Sequence, residues 1–379
     1  MDFDRLEVGY DIPARPGDPV ERIVTPALVI DLDAFDRNIA RMKAFLDRTG
    51  LRLRAHAKTH KSADIARIQM ERGGACGICC QKVSEAEALV RAGISDILVS
   101  NEIWGAPRIA RLVALAGKAR ISVCVDDLSS VLSLSDEARR QGQVIGVLVE
   151  INCGADRCGV APGEAAVALA RAVADAPGLR FDGLQAYQGS LQHVYDPAER
   201  RRRGEAAAAL TGNAIHALAA AGLECRVIGG AGTGSFVLDA ELGAVSELQC
   251  GSYVFMDADY DRVRELDGGK SGGMENALLV LTTVMSVAVP GRPVCDAGHK
   301  AHAIDSGLPR IDADDLRYLD ASDEHGVIDD PQRKLSLGDR IRLVPGHCDP
   351  TCNLHDWFVG VRNGVVETLW PVTARGKLF

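Results

Sequence analysis

From Leu51 to about Tyr253, short apolar runs alternate with segments whose apolar residues recur at helical spacing. The runs are Leu51–Ala57, Cys76–Cys80, Asp96–Ser100, Arg120–Val125, Val144–Ile151, Phe181–Tyr187, Cys225–Gly230 and Glu247–Tyr253. Most are rich in Val, Ile, Leu and Cys without strict alternation, as in strands covered on both faces. Between them, Ser84–Glu87 reads as a capping box ahead of Ala88, Leu89 and Val90. Residues 164–174 and 199–221 are Ala-rich and helix-prone. Eight such units in roughly 200 residues predict an α/β chain folded as a (β/α)8, TIM-like barrel. An open doubly wound sheet is the alternative, but the first loop lacks the G-x-G-x-x-G pattern of its dinucleotide-binding form.

After about residue 270 the pattern changes to that of a mostly β second domain. Ala277–Val289, Arg340–Val344, Trp357–Arg362 and Val365–Leu369 read as strands, with Asn363-Gly364 as a hairpin turn. Ala27–Asp31 is a further strand, free to join either unit, followed by a helix with Phe35, Ile39, Met42 and Leu46 on one face. The Gly-rich polar stretch 265–276 marks the boundary. The expected division is a barrel over 25–265 and a β domain built from 1–24 and 266–379.

Composition narrows the partners. A chain of 379 residues, 47% hydrophobic and 25% charged, is soluble and globular by default. A net charge of -9 and only 4% aromatic residues argue against nucleic acid. The N-terminus lacks the basic and apolar regions of a secretory signal. The longest apolar stretch, 277–289, is interrupted by Thr282, Thr283 and Ser286 and is too short for a membrane span. The eleven scattered cysteines show no paired zinc-type motif and suit small buried hydrophobes in a reducing, cytoplasmic setting.

Barrel chemistry gathers where strands end. The first run ends in RAHAKTHK, giving His56, Lys58, His60 and Lys61; later ends give Gln81, Asn101, Asp126, Asn152, Arg157, Tyr187, Gln188 and His193. The seventh opens into GGAGTGS, 229–235, and the eighth carries Ser252 and Tyr253. A glycine turn after strand seven is suited to a phosphate, with Thr233, Ser235, Ser252 and Tyr253 adding hydroxyls. Taken alone it reads as a flexible turn; its position favours phosphate. Lys58 on an apolar strand end is expected to be desolvated, its pKa lowered and its amine freed as a nucleophile. Lys61 is expected to reach solvent or sit at a helix start. His347 and Asp349, two apart in GHCDPT, are expected on one side of an extended segment. Imidazole plus carboxylate suits Mn²⁺, Zn²⁺ or a similar ion and leaves positions open for substrate.

The segments TPALVIDLDAFDRNI, RAHAKTHK, GICCQKVSEAE, DRCGV, QAYQGSLQH, GGAGTGS, ELQCGSYVFMD, DEHG and GHCDPT together resemble the alanine racemase-like, fold-type III enzymes that use pyridoxal 5'-phosphate. The resemblance covers nearly the whole chain. It points to the branch of D-threonine aldolase, 3-hydroxy-D-aspartate aldolase and D-serine dehydratase. It implies that Lys58 carries the cofactor covalently and that Arg157 contacts its phenolic oxygen. Gly232, Thr233, Gly234 and Tyr253 would form the phosphate cup, with Ser252 beside them. Tyr187 or Gln188, not an arginine, stands at the strand end that faces the pyridine nitrogen.

Dehydratases of this resemblance carry Cys where Asp349 stands, and the harder oxygen ligand suits Mn²⁺ first, with Mg²⁺ or Zn²⁺ as alternatives. The implied reaction is metal-assisted cleavage of a D-β-hydroxy-α-amino acid to glycine and an aldehyde, with His193 as general base. The implied assembly is a homodimer. Two rivals remain: a dehydratase acting on D-serine or 3-hydroxyaspartate, and a non-catalytic carrier of the same cofactor. The β domain bearing His347 and Asp349 argues against the carrier. A racemase would need a second acid–base residue that the sequence does not offer.

Overall fold

The computed structural model describes residues 3–379. The chain enters through β1 (Ala27–Asp31) and α1 (Leu32–Thr49). Asp31 caps α1 by accepting from the backbone of Asp33 and Ala34, and Gly50 ends it in the left-handed region. Eight strands then close a parallel barrel: β2 (Arg52–His56), β3 (Ala75–Cys80), β4 (Asp96–Glu102), β5 (Arg120–Val125), β6 (Ile145–Glu150), β7 (Leu179–Gln185), β8 (Val227–Gly230) and β9 (Glu247–Leu248). Their connecting helices are α2 (Ala63–Glu71), α3 (Val83–Arg91), α4 (Ala106–Leu115), α5 (Leu128–Gln141), α6 (Glu164–Asp175), α7 (Pro197–Ala220) and α8 (Phe236–Leu242). The capping box expected at Ser84 is not formed, because α3 starts two residues earlier, behind Lys82. Ser84 bonds the C-terminal Phe379 through its hydroxyl, and Glu85 takes the backbone N–H of Gln81 at 2.9 Å.

The barrel interior is layered, as the two-residue repeat of strands requires. Arg54, bonded to Glu247 and Asp96, and Arg180, bonded to Asp182, form an ionic floor. Gly77 and Gly146 make room for it, since a Cβ on either would collide with these side chains. Cys79, Leu98, Cys124 and Leu148, two residues further along their strands, form a separate apolar plug. Two residues beyond the plug on their strands lie Gln81, Ser100 and Glu150; His56, paired in register with Cys79, reaches Gln81 and Ser100, and the mouth begins.

The β domain follows with β10 (Leu278–Ser286), β11 (Val294–Cys295), β12 (Arg310–Ile311), β13 (Arg317–Ala321), β14 (Gly326–Asp329), β15 (Arg340–Val344), α9 (Cys348–Cys352), β16 (Trp357–Arg362) and β17 (Val365–Pro371). The path of its sheet is β13-β14-β11-β10-β1-β16-β17, with β15 joining β10 to β12. Asn363 (φ 50°) and Gly364 (φ 74°) form the expected hairpin turn between β16 and β17. β1 lies in this sheet, antiparallel to β10 and parallel to β16. Its side chains divide by parity: Leu28 and Ile30 join the core shared with the barrel, while Ala27 and Val29 join a cluster with Ile12, Ile23 and Val359 on the other face. Among the described residues no helix is long and apolar enough to cross a membrane.

Candidate active site

Lys58 stands just beyond β2, with 41% of its side-chain surface open. Its Nζ lies 3.6 Å from a carboxylate oxygen of Asp349, which arrives from the β domain. Although partly open by area, the amine is surrounded by protein atoms, and burial pulls its pKa down. The attraction of Asp349, joined by smaller contributions from Tyr187 and Cys348, outweighs that pull, so the net direction is upward. The lowering expected from the strand end alone is therefore corrected by a partner some 290 residues later in the chain, a separation no local reading could bridge.

Beneath Lys58, the buried His56 accepts the Lys58 backbone N–H on Nδ1 at 3.4 Å and meets Gln81 (2.9 Å) and Ser100 (3.2 Å) through Nε2. Burial, followed by the charge of Lys58, holds its pKa well down, so it is a neutral imidazole. Lys61, expected to reach solvent or sit at a helix start, takes the second place: it precedes the Ser62 cap of α2, buried at 7% exposure with φ 51°, and its carbonyl accepts the N–H of Ala374.

Asp349 does meet Lys58, but it and His347 do not lie on an extended segment. His347 is the extended N-cap of α9, and Asp349 sits in that helix's first turn. Thr351 closes the turn by bonding the His347 carbonyl at 2.6 Å, and Asp257 accepts the Cys348 N–H at 2.9 Å. Asp305 accepts from Nδ1 of His347 at 2.7 Å, which leaves Nε2 as the open nitrogen. Ser252 donates to Asp349 at 3.1 Å and meets Thr59 at 3.3 Å. Among the described residues, the three-member metal-competent cluster is elsewhere: Glu102, Glu150 and Cys158, with ligand atoms within 4.8 Å. Burial, then the charge of Glu102, pushes the Glu150 carboxyl upward. Arg157 lies 3.6 Å from Glu150 and 5.6 Å over the ring of Tyr187. The loop carrying it is tied by Asn152, which accepts the N–H of Gly154 at 3.0 Å.

The glycine turn differs in detail from expectation. The N–H groups of Gly232 and Gly234 are already bonded, to Ser235 (3.3 Å) and Gln192 (2.8 Å). Ser235 also donates to Asp239. A Cβ on Gly232 would meet the Gln192 side chain at 2.5 Å, so this glycine admits the neighbouring loop. Thr233 Oγ1, by contrast, is buried and without a partner. Tyr253 is fully buried, and its hydroxyl accepts from Gln69 at 3.3 Å. His193 ends the 3-10 turn 189–193, with its side chain 52% exposed and its Nδ1 2.6 Å from Asp259. Asp257, Asp259, Asp305 and Gln192 were not singled out from the sequence. Asp305 lies 42 residues before its partner in an irregular loop, where spacing carries no signal. The Asp257 and Asp259 pair directly after the eighth strand end was the one available clue.

Residues 30–259 match the family model of the alanine racemase N-terminal domain, and 277–361 match a domain model named for serine dehydratase. The chain is 51% identical to a 3-hydroxy-D-aspartate aldolase of Paracoccus denitrificans (strain Pd 1222), over 99% of this chain and 98% of that one. It is 46% identical to a D-threonine aldolase of Arthrobacter sp, over 96% of both. Its fold is similar to the crystal structure of D-threonine aldolase from Filomicrobium marinum, with a TM-score of 0.94 and 50% identity, covering 97% of this chain and 100% of that one.

Proposed function

The chain belongs to the family of the alanine racemase N-terminal domain, and from that premise we propose that it is an aldolase dependent on pyridoxal 5'-phosphate and a divalent metal, cleaving D-β-hydroxy-α-amino acids of the D-threonine kind to glycine and an aldehyde. One observation carries the reading: the barrel amine of Lys58 and the β-domain carboxylate of Asp349 meet at 3.6 Å, with His347 capping the short helix that carries Asp349.

The residues present fit both groups. The unpartnered hydroxyl of Thr233 in the turn after β8 has no protein acceptor or donor, as a phosphate-binding hydroxyl would. Lys58 is the amine that would hold the coenzyme; Arg157, Tyr187, Gly232, Gly234, Ser252 and Tyr253 complete its expected surroundings. His347 Nε2 and the Asp349 carboxylate are the donors for the ion, Mn²⁺ first and Mg²⁺ or Zn²⁺ after it. When bound, the coenzyme accepts the electrons of the breaking Cα–Cβ bond and the ion acidifies the β-hydroxyl.

The chain's own part is positional and acid–base. Asp305 fixes the tautomer of His347, and Ser252 orients Asp349. Arg157 is held between Glu150 and the face of Tyr187. His193 removes the β-hydroxyl proton. The reading extends to a homodimer, supported by the resemblance and by the exposed Trp104 beside Pro107 and Phe379. It also extends to a cytoplasmic setting, supported by eleven free thiols.

The test is product analysis. With the coenzyme and Mn²⁺ added, D-threonine should yield glycine and acetaldehyde; keto acid and ammonia would mark a dehydratase, and coenzyme binding without turnover a carrier. Lys58→Ala should lose both activity and the visible absorbance of the bound coenzyme. EDTA should abolish activity and Mn²⁺ restore it.

A further inference from the structure

The loop after β9 carries two buried aspartates, and only one serves the metal arm. Asp257 accepts the backbone N–H groups of Cys348 and Tyr260. Asp259, 3% exposed, points the other way and gathers His193 Nδ1 at 2.6 Å, the Tyr195 hydroxyl at 2.7 Å and the Arg262 guanidinium. Arg262 also stacks on the Tyr195 ring at 4.3 Å, so the three donors brace one another around the carboxylate. We infer that Asp259 is the positioning residue of His193: it holds the Nδ1 proton, turns the ring, and leaves Nε2 as the nitrogen that accepts the β-hydroxyl proton. The inference rests on the aldolase reading above.

The chemistry follows from this geometry. A neutral imidazole carries one proton, and a carboxylate at 2.6 Å from Nδ1 fixes that proton there. Among the described residues, Nε2 has no protein partner. In the cleavage the O–H proton moves to Nε2, the O–H electron pair becomes the carbonyl bond, and the Cα–Cβ bond breaks. Its electron pair stays with the amino-acid fragment, which gains one proton at Cα to become glycine, while His193 releases the proton it took, so that overall one proton passes from oxygen to carbon. Atoms and charge balance without oxidant or reductant. The imidazolium formed midway is neutralised by Asp259, in the manner of hydrolytic His–Asp pairs.

Titration agrees with the geometry. The hydrogen bond that His193 donates to Asp259 raises the pKa of His193 against partial burial; Asp259 and Asp257 add attraction, Lys58 opposes, and the tilted Tyr260 ring lies 6.3 Å away. Burial pushes Asp259 upward, but the bonds from His193, Tyr195 and Arg262 win and keep it ionised.

The experiment uses the holoenzyme with D-phenylserine, reading benzaldehyde, together with ¹⁵N spectra of histidine-labelled protein and a His193→Gln control for assignment. Asp259→Asn should lower kcat on the order of 100-fold with KM within about threefold. It should also move the acid limb of kcat about one pH unit down, since the neutral imidazole then persists to lower pH. The wild-type spectrum should show the Nδ1-H tautomer of His193, and the variant a mixture. Asp259→Glu should partly restore both. An acid limb and tautomer unchanged in Asp259→Asn would overturn the inference. Should that variant fail to fold, Tyr195→Phe decides: losing one donor strengthens the carboxylate, so the limb should move up, and no shift or a downward shift overturns it. If the wild type releases no aldehyde, the aldolase reading fails alone, because the spectrum still reports whether Asp259 fixes His193.

Discussion

At the scale of single residues, the mouth of the barrel keeps groups that folding alone would not favour. Thr233 Oγ1 is buried without a partner, which costs about 1–3 kcal/mol. Thr233→Val removes the hydroxyl at constant shape, so the coenzyme-free protein should gain about 1–2 kcal/mol in thermal or denaturant unfolding. Coenzyme affinity, read by fluorescence titration, should fall in the same variant; unchanged affinity would remove Thr233 from the cup. Glu150 is a second case. Burial and the charge of Glu102 raise its carboxyl above the usual range. A carboxyl with a higher pKa in the folded state binds its proton more tightly there, so it destabilises increasingly as pH climbs above the unfolded value. Glu150→Gln should therefore stabilise the protein more at pH 9 than at pH 5. Equal shifts in Tm at the two pH values would contradict this.

At the scale of elements, helix α1 ties the two units together. Phe35 lies 6.4 Å from Phe255, in the loop after β9, and 5.7 Å from Trp370 of β17. Asn38 is fully buried, accepts the N–H of Glu275 at 2.8 Å, and donates to the carbonyls of Glu275 and Val254. It thereby satisfies the backbone of the Gly-rich connection where it turns into β10. Asn38→Leu would strand those groups and should cost about 1–3 kcal/mol in chemical denaturation; a loss within about 0.5 kcal/mol would show that the connection is held otherwise. The apolar face of α1 was legible from Phe35, Ile39, Met42 and Leu46, because a helical stripe repeats within one window. The eight barrel strands were legible for the same reason, since strands buried on both faces keep their apolar runs. The two-residue strands β11 and β12, and β13–β14 with exposed Leu319 and Asp320, carry no comparable run and were not anticipated. Of the proposed site, Lys58, His347 and Asp349 stand out in the sequence as strand-end and motif residues. Asp305 and Gln192 do not, since they act through long-range hydrogen bonds that leave no periodic trace.

At the scale of the whole molecule, the proposed site is shared: Lys58 and Thr233 come from the barrel, and His347 and Asp349 from the β domain. Such a site keeps its geometry only if the two units do not unfold separately. One continuous core runs from Leu28 and Ile30 of β1, through Phe35 and Phe255, to barrel residues such as Ile78 and Val99 and to Phe358 of β16. A core without a seam predicts a single cooperative transition even in coenzyme-free protein, despite a chain length at which separate domain melting is common. The three tryptophans make the test direct. Trp104 is 62% exposed on the barrel rim, while Trp357 and Trp370 lie on β16 and β17 of the β domain. Unfolding followed by the fluorescence of a Trp104-only variant and of a Trp104→Phe variant, beside far-ultraviolet circular dichroism, should give coincident midpoints for each protein. A β-domain signal that melts several degrees below the barrel signal would mean that the metal arm can detach while the coenzyme barrel stays folded.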